Sequence, residues 1–207
     1  MPLKIFQVNA ARPDSAVITE TAEALKKGNL VVFPTETVYG LGAIADDVVA
    51  VEHLYKVKGR PTDRPLSVYF ADPMAVLQMA VDWPPAAQKL ARHFWPGPLT
   101  LVVRRMEGGT VGLRVPRHPV ARALLSAVGV PIVAPSANVT GQLAPRTAEE
   151  AMAQLKTHVN YVIDSGPSDY GIPSTVVDCT LDRPRMLRQG ALYREIEAML
   201  SAVQVGG

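Results

Sequence analysis

Short apolar runs of strand length alternate along this chain with amphipathic segments of helical length, and this alternation restricts the fold more than any other feature. The runs at 30–34 and 99–105 have the length of buried strands. The segments at 14–28 and 46–59 begin with acidic or hydroxyl residues and carry lysines near their C-terminal ends, as helices do. We therefore predict a single α/β domain over 1–207, built on a large mixed sheet.

The rest of the chain continues the same pattern. Further strands are predicted at 4–8, 65–70, 111–116, 131–135, 161–166, 174–180 and 185–190. Further helices are predicted at 72–80, 84–95, 118–129, 147–159 and 192–203. The segment 35–43 is polar and interrupted by glycines, which predicts a loop.

The composition excludes several classes of protein. With 48% hydrophobic residues, 19% charged residues and a net charge of +2, the chain is that of a globular protein and not a globally basic nucleic-acid binder. Its single cysteine, Cys179, cannot form an internal disulfide, and its place in a predicted strand favours an inert core position. Neither a signal peptide nor a run of membrane-spanning length is present, so we expect a cytoplasmic protein without membrane contact.

Common catalytic and nucleotide-binding motifs are missing from the sequence. There is no P-loop motif, no dinucleotide fingerprint and no nucleophile elbow. The four histidines share no metal-ligand spacing with one another or with the cysteine, so no protein-held metal site is predicted.

Five loops that leave predicted strands or helices carry small hydroxyls, an amide or cations, and they are 34–42, 58–66, 134–141, 172–177 and 187–190. Ligands of open α/β sheets bind beyond the carboxyl ends of the strands, so these loops can meet at one site. Each loop alone also fits a simpler structure, a turn for 134–141 and a solvated helix end for 58–66. Arg114 and Arg188 lie within apolar strands, and together they favour a lined pocket over two exposed edges.

In this order, the loops resemble those of the YrdC-type family, the threonylcarbamoyl-AMP synthases of transfer-RNA modification. The resemblance spans about residues 15–190 and rests on the pieces FPTETVYGLGA (33–43), YKVKGRPTDRPLSV (55–68), FWPGPLTLV (94–102), LRVPRHPVA (113–121), PIVAPSANVTG (131–141), PSTVVD (173–178) and LRQG (187–190). Longer members carry a linker and a second domain. The chain ends about 17 residues after LRQG and therefore resembles the single-domain form.

The resemblance implies a fold and a reaction. The fold is a twisted, open α/β sheet with flanking helices and a concave, positive face. The reaction joins L-threonine, bicarbonate or CO2, and ATP into threonylcarbamoyl-adenylate with release of pyrophosphate. A Mg²⁺ ion is expected to be held mainly by ATP and water. A separate transferase complex then modifies adenosine 37 of transfer RNA.

The resemblance also implies roles for ten residues. Lys58 and Arg60, its Lys-x-Arg motif, are predicted to bind phosphates and to stabilise the developing charge as catalytic residues. The other predicted nucleotide-binding residues are Arg64, Ser136, Asn138, Arg146 and Arg188. The predicted threonine-binding residues are Thr35, Arg114 and Ser174.

Two other functions stay open at this point. A basic concave face also fits a module that holds transfer RNA or double-stranded RNA by its phosphates without catalysis. The small hydroxyl and amide residues argue against it, because a phosphate-only binder does not need them. The other alternative is a related carbamoyl-adenylate chemistry, as in larger hydrogenase-maturation proteins that contain this domain.

Overall fold

The computed structural model of the protein describes residues 2–77, 79, 81–155 and 158–205, with side chains as far as residue 201. Within these residues ten strands form one mixed sheet. The strands are β1 (Lys4–Gln7), β2 (Val31–Phe33), β3 (Gly40–Ile44), β4 (Ser67–Tyr69), β5 (Leu99–Arg104), β6 (Thr110–Arg114), β7 (Ile132–Val133), β8 (Tyr161–Asp164), β9 (Thr175–Asp178) and β10 (Arg185–Arg188). The helices are α1 (Ser15–Lys26), α2 (Val48–Lys58), α3 (Pro73–Val76), α4 (Pro85–Phe94), α5 (Pro119–Val128), α6 (Ala148–Leu155) and α7 (Tyr193–Val205).

The sheet has the strand order β1-β8-β2-β3-β7-β4-β6-β5-β9-β10. The sheet contains both parallel pairs, such as β4 with β6 and β5 with β9, and antiparallel pairs, such as β4 with β7 and β5 with β6. The predicted α/β fold with one open mixed sheet is therefore confirmed.

Helix α2 shows how local chemistry sets the helix ends. The Asp47 carboxylate accepts a hydrogen bond from the backbone N–H of Ala50 at 3.0 Å and thereby caps the first turn. Gly59 ends the helix in the left-handed conformation, with φ 55°. The backbone N–H of Arg60 then bonds back to the carbonyl of Tyr55 at 3.0 Å, which closes the C-terminal turn. The cation-rich loop thus leaves the helix in a fixed direction.

The prediction of a loop over 35–43 was wrong in its second half, because residues 40–44 form β3. The glycines that argued against a strand are required there by packing. A Cβ atom on Gly42 would lie 3.0 Å from a ring carbon of Phe33 on the neighbouring strand β2. The aromatic ring occupies the space that a side chain would take, so these glycines complete the strand rather than break it.

Two predicted helices are described over clearly shorter ranges. The helix expected at 72–80 is the short α3, and residues 78 and 80 lie outside the described part. The helix expected at 147–159 is described as α6, and residues 156 and 157 lie outside. Cys179 directly follows β9, and it is buried as predicted. Burial raises the pKa of its thiol to about 12. In the described helices, no apolar stretch has the length needed to cross a bilayer.

Two hydrophobic clusters lie on the two faces of the sheet. The larger includes buried residues of α2, α4, α6 and α7. The smaller is built from α1 and α5 against residues of β2, β4, β7 and β8. On the α1/α5 face, no residue of β5, β6 or β9 belongs to the described smaller cluster. That part of the face is therefore not covered by α1 and α5.

Candidate active site

A cavity of about 110 Å³ lies between residues of β4, β5 and β6 and the five loops singled out in the sequence. It is lined by Val38, Arg60, Pro65, Leu66, Ser67, Tyr69, Thr100, Arg114, Ala134, Pro135, Ser136, Pro173, Ser174 and Arg188. Strand geometry explains part of this lining: Ser67 and Tyr69 are two residues apart on β4 and therefore point to the same face. Tyr69 lies beside Arg114 of the parallel strand β6.

Arg114 is buried and held by an ion pair. Its Nη2 donates to Glu36 Oε1 and to Thr37 Oγ1, both at 2.8 Å, and its Nη1 donates to the Tyr69 hydroxyl at 3.0 Å. The side chains of Arg114 and Glu36 are only 2% and 1% exposed. The other carboxylate oxygen of Glu36 accepts from the backbone N–H of Arg117 at 3.1 Å. The guanidinium is therefore fixed from the loop after β2 and from β4 at once.

The electrostatics of this pair keep both groups charged. Burial alone would raise the pKa of Glu36, but the charge and hydrogen bond of Arg114 outweigh it and lower that pKa. Burial likewise opposes the charge of Arg114, while Tyr69 and Glu36 raise its pKa. The Nε atom of Arg114 is buried and has no hydrogen-bond partner among the described residues. A buried donor without a partner is costly, and an anionic ligand that reached this N–H would remove that cost.

A hydroxyl pair and Arg188 form the opposite wall. The hydroxyls of Thr100 on β5 and Ser174 before β9 lie 2.8 Å apart. Arg188 donates from Nη2 to Ser174 Oγ at 3.0 Å and from Nε to the Ser174 carbonyl at 2.9 Å. Arg188 is exposed on the edge strand β10, although it also lines the cavity. Partial desolvation of its guanidinium lowers its pKa; Tyr69 raises it, and the positive charges of Arg114 and Arg60 lower it further. The positive charges of Arg60, Arg114 and Arg188 therefore repel one another, and a bound anion would reduce this repulsion.

Arg60 reaches the cavity from the loop after α2. Its Nε donates to the carbonyl of Arg64 at 3.1 Å and its Nη2 to the carbonyl of Pro65 at 3.0 Å. No carboxylate within the described residues pairs with it at salt-bridge distance. Arg60 therefore lines the cavity with a charge that no described carboxylate neutralises.

Lys58 and the Ser-x-Asn motif are joined next to this wall. The Lys58 ammonium donates to the carbonyls of Ser136 at 2.5 Å and Asn138 at 2.6 Å. Ser136 Oγ donates to Asn138 Oδ1 at 2.5 Å, and the Asn138 amide bonds to carbonyls of its own loop. Burial, and then the charge of Arg60, lower the Lys58 pKa to about 8. An ammonium has three donors, so one N–H of Lys58 is left for a ligand.

Five predicted site residues are absent from the described lining of the cavity: Lys58 and Asn138, whose bonds to Ser136 are given above, and Thr35, Arg64 and Arg146. The Thr35 hydroxyl donates to the Val38 carbonyl at 2.6 Å and lies 2.9 Å from the Thr37 hydroxyl, so it is one hydroxyl away from Arg114. Arg146 is exposed and donates from Nε to the Ser168 carbonyl at 3.1 Å. Arg64 is exposed, and its carbonyl rather than its side chain contacts Arg60.

This arrangement suits a ligand with both anionic and polar groups. Arg60, Arg114 and Arg188 line one cavity together with hydroxyls of four neighbouring residues and with Tyr69. Guanidinium groups bind carboxylate and phosphate oxygens, and hydroxyls donate hydrogen bonds to, or accept them from, amines and alcohols. Larger cavities of about 520 and 510 Å³ occur elsewhere, but neither gathers the predicted site residues.

Comparison with known proteins gives the family. Residues 23–190 match the model of the Sua5/YciO/YrdC family, which carries the description "Telomere recombination". The chain belongs to this family.

Members of the Sua5/YciO/YrdC family resemble the chain in sequence and in structure. The threonylcarbamoyl-AMP synthase of Bacillus subtilis is 41% identical over 199 residues, which cover 91% of this chain and 58% of that protein. A putative threonylcarbamoyl-AMP synthase of Mycobacterium tuberculosis is 43% identical over 187 residues, which cover 86% of both. The structure of Pyrococcus abyssi Sua5 complexed with L-threonine superposes with a TM-score of 0.89 at 39% identity, covering 94% of this chain and 60% of that one. The chain thus spans somewhat over half the length of the B. subtilis and P. abyssi proteins.

Four residues of this family member contribute to the site although the sequence alone did not single them out. They are Glu36, Thr37, Tyr69 and Thr100. Tyr69 and Thr100 were detectable from strand alternation, since Ser67 shares the face of Tyr69 and the neighbours of Thr100 are leucines that face the other way. Glu36 left no such signal, because its partner Arg114 lies 78 residues further along the chain.

Proposed function

We propose that the chain is a threonylcarbamoyl-AMP synthase, which condenses L-threonine, bicarbonate or CO2, and ATP into threonylcarbamoyl-adenylate and pyrophosphate. The observation that carries this proposal is the convergence of five separated loops on one cavity lined by three arginines and several hydroxyls. The naming of relatives such as the M. tuberculosis protein as threonylcarbamoyl-AMP synthases supports it, as does the L-threonine bound to P. abyssi Sua5.

The proposed chemistry has two steps. The amine of threonine adds to CO2 and loses a proton, which gives a carbamate. A carbamate oxygen then attacks the α-phosphorus of ATP, and the bond from that phosphorus to the bridging oxygen of pyrophosphate breaks. Negative charge spreads over the phosphoryl oxygens in the transition state, so catalysis depends on positioning and on fixed positive charge.

The geometry supports a division of the site into two ends. We assign the phosphates and the developing charge to Arg60, whose guanidinium is not neutralised by a described carboxylate, and to the free N–H of Lys58. The remaining proposed nucleotide contacts are Arg64, Ser136, Asn138, Arg146 and Arg188. Arg64 and Arg146 are exposed, so they are assigned to the outer part of the nucleotide.

The threonine end is assigned to the buried side of the cavity. The unpartnered Nε of Arg114 suits the threonine carboxylate, and Ser174 offers a hydroxyl for the polar side chain. Thr35 is proposed to act here through Thr37, whose hydroxyl it contacts and which accepts from Arg114.

Partners and location follow from the proposed reaction. Guanidinium groups repel cations, so Mg²⁺ is expected to arrive with ATP, held by phosphate oxygens and water. The product would pass to a transferase complex that modifies adenosine 37 of transfer RNA, which implies a cytoplasmic location. We also propose that residues 1–207 form a single domain. The alternative of an RNA-binding module without catalysis is less well supported, since it gives no role to the buried hydroxyls and Arg114.

Pyrophosphate release by the purified protein with ATP and bicarbonate tests the proposal directly. We expect release to depend on L-threonine and to be much weaker with L-serine, which lacks the methyl group. Release that needs an added carbamoyl donor, such as carbamoyl phosphate, in place of threonine and bicarbonate would instead support a related carbamoyl-adenylate chemistry. If protein that binds ATP releases no pyrophosphate with any of these substrates, the synthase proposal is wrong.

A further inference from the structure

Tyr55 contacts the loop that carries Arg60 at both of its ends. Tyr55 lies in the last turn of α2, and its backbone carbonyl accepts a hydrogen bond from the N–H of Arg60 at 3.0 Å. Its hydroxyl donates to the carbonyl of Arg64 at 3.0 Å. Tyr55 therefore binds Arg60 through its backbone and Arg64 through its side chain.

The carbonyl that Tyr55 binds is also the one that orients Arg60. Arg64 O accepts from the Tyr55 hydroxyl and from Arg60 Nε at 3.1 Å, and the carbonyl of Pro65 accepts from Arg60 Nη2. Two adjacent carbonyls thus accept hydrogen bonds from the Arg60 guanidinium, and the first of them also accepts one from the Tyr55 hydroxyl. The loop is closed further by a bond from the Arg64 N–H to the Pro61 carbonyl at 3.2 Å.

Tyr55 works from the side of the loop that faces away from the site. It lines a separate cavity of about 520 Å³, whose lining includes Val68 on the opposite face of the sheet from Ser67 and Tyr69. Pro65 and Leu66 line this cavity and the site cavity, so the loop forms a wall between the two. Any influence of Tyr55 on the site must pass through that wall.

We propose that Tyr55 is a positioning residue for Arg60, acting through the carbonyl of Arg64. Arginine has many rotamers, and a guanidinium that must meet a developing charge acts best when its geometry is fixed beforehand. Without the tyrosine hydroxyl, the Arg64 carbonyl keeps Arg60 as its only described side-chain partner and can turn with it. The catalytic consequence rests on the synthase function proposed above, whereas the positioning itself does not.

The first test compares Tyr55→Phe with Tyr193→Phe, which removes a hydroxyl that contacts only the exposed Arg194 in the described hydrogen bonds. We expect Tyr55→Phe to lower kcat for pyrophosphate release by roughly three- to ten-fold, the range of one net hydrogen bond. The KM for L-threonine should stay unchanged, because Arg60 is assigned to the phosphate end. Tyr193→Phe should match the unaltered protein. Equal kcat values for all three proteins would overturn the proposal for catalysis.

The second test reads the position of Arg60 without any reaction. The Nε–H cross-peak of Arg60 in a proton–nitrogen spectrum is assigned as the one that disappears in Arg60→Lys. We expect this cross-peak to shift and its proton to exchange faster with water in Tyr55→Phe, while the other arginine signals keep their positions. An unchanged Arg60 signal would overturn the proposal whatever the kinetics show. A shifted signal in a protein without threonine-dependent pyrophosphate release would uphold the positioning and reject the synthase function.

A double-mutant cycle distinguishes an effect on Arg60 from a general loosening of the loop. If Tyr55 acts through Arg60, Tyr55→Phe should weaken ATP binding in the normal background and have no further effect in Arg60→Ala. Equal losses in both backgrounds would mean that Tyr55 acts on the loop as a whole, and the proposal would fall.

Discussion

Arg114 and Arg60 line the same cavity but are held in opposite ways. Arg114 is 2% exposed and is bound to the charge of Glu36, to Thr37 and to Tyr69. Arg60 is half-buried on a loop and is bound only to backbone carbonyls. The first arginine is therefore part of what folds the domain, and two of its five N–H groups, one on Nε and one on Nη1, have no partner in the described hydrogen bonds. The second keeps its full charge and can respond to a ligand. One arginine of the cavity thus stabilises the fold, and the other supplies positive charge for a ligand.

Glu36→Gln should break the structural side of this comparison and give the largest effect. The change leaves Arg114 buried without a counter-charge, which typically costs about 3–5 kcal/mol of unfolding free energy. The measurement is urea denaturation followed by circular dichroism. Glu23→Gln is the matched control, because it breaks the exposed ion pair with Lys26 and should cost less than about 1 kcal/mol. Similar losses in the two variants would contradict the structural role of the buried pair.

Arg60→Ala should show the reverse behaviour. The folded state loses only hydrogen bonds to loop carbonyls, so we expect the free energy of unfolding to change by about 0.5 kcal/mol or less. Pyrophosphate release should fall by about 100- to 1,000-fold, as when one fixed donor to a developing charge is removed. Stability and turnover of the same preparations give both numbers. A large drop in melting temperature would identify Arg60 as a structural residue like Arg114.

Acid denaturation should sharpen the same contrast. The pKa of Glu36 is lowered in the folded state from its ordinary value of 4.5, so the stabilisation by its charge is present above that value. This stabilisation is lost as the pH falls through the folded-state pKa. The difference in unfolding free energy between the unaltered protein and Glu36→Gln should therefore be constant near neutral pH and shrink in acid. A difference that stays constant into strong acid would show that the charge of Glu36 is not what stabilises the fold.

The comparison also explains what the sequence could and could not predict. Helices α1, α2, α4 and α5 were predictable because caps, prolines and glycines mark their ends locally. Arg60 and Lys58 were recognisable because their motif lies in one continuous stretch. Strand β3 was missed because its glycines are explained only by the ring of Phe33 across the strand pair. Glu36 was missed for the same kind of reason, since nothing near it in sequence announces an arginine 78 residues away. Local signals predict elements, and long-range packing decides the buried electrostatics.

Lys58 is buried like Arg114, but in the described hydrogen bonds it is bound to backbone carbonyls like Arg60. We expect it to take up a proton when ATP binds. Its pKa of about 8 reflects burial and the charge of Arg60, so it is partly neutral at pH 8.5. Phosphate charge near its free N–H would raise that pKa, and up to about three-quarters of a proton should be taken up on binding at pH 8.5. At pH 6.5 the lysine is already charged and uptake by it should vanish. Calorimetry in buffers of different ionisation enthalpy measures this number. Uptake should disappear in Lys58→Met and persist in Lys56→Met, which alters an exposed neighbour. Equal uptake in both variants would place the proton elsewhere.

Arg64→Ala should have the smallest effect, because this residue contributes to the Arg60 wall chiefly through its backbone. The side chain is exposed, whereas the carbonyl that orients Arg60 is kept in the variant. The contact proposed for it at the outer part of the nucleotide would be exposed, so its charge is screened by solvent and counter-ions. We therefore expect ATP affinity to fall by about two-fold at low salt and to match the unaltered protein at roughly 0.5 M salt, where such attraction is screened. Titrations at the two salt concentrations decide the matter. A loss that persists at high salt would mean that the Arg64 side chain makes a desolvated contact to the phosphates, like the one proposed for Arg60. The loop after α2 would then hold two phosphate-binding arginines instead of one.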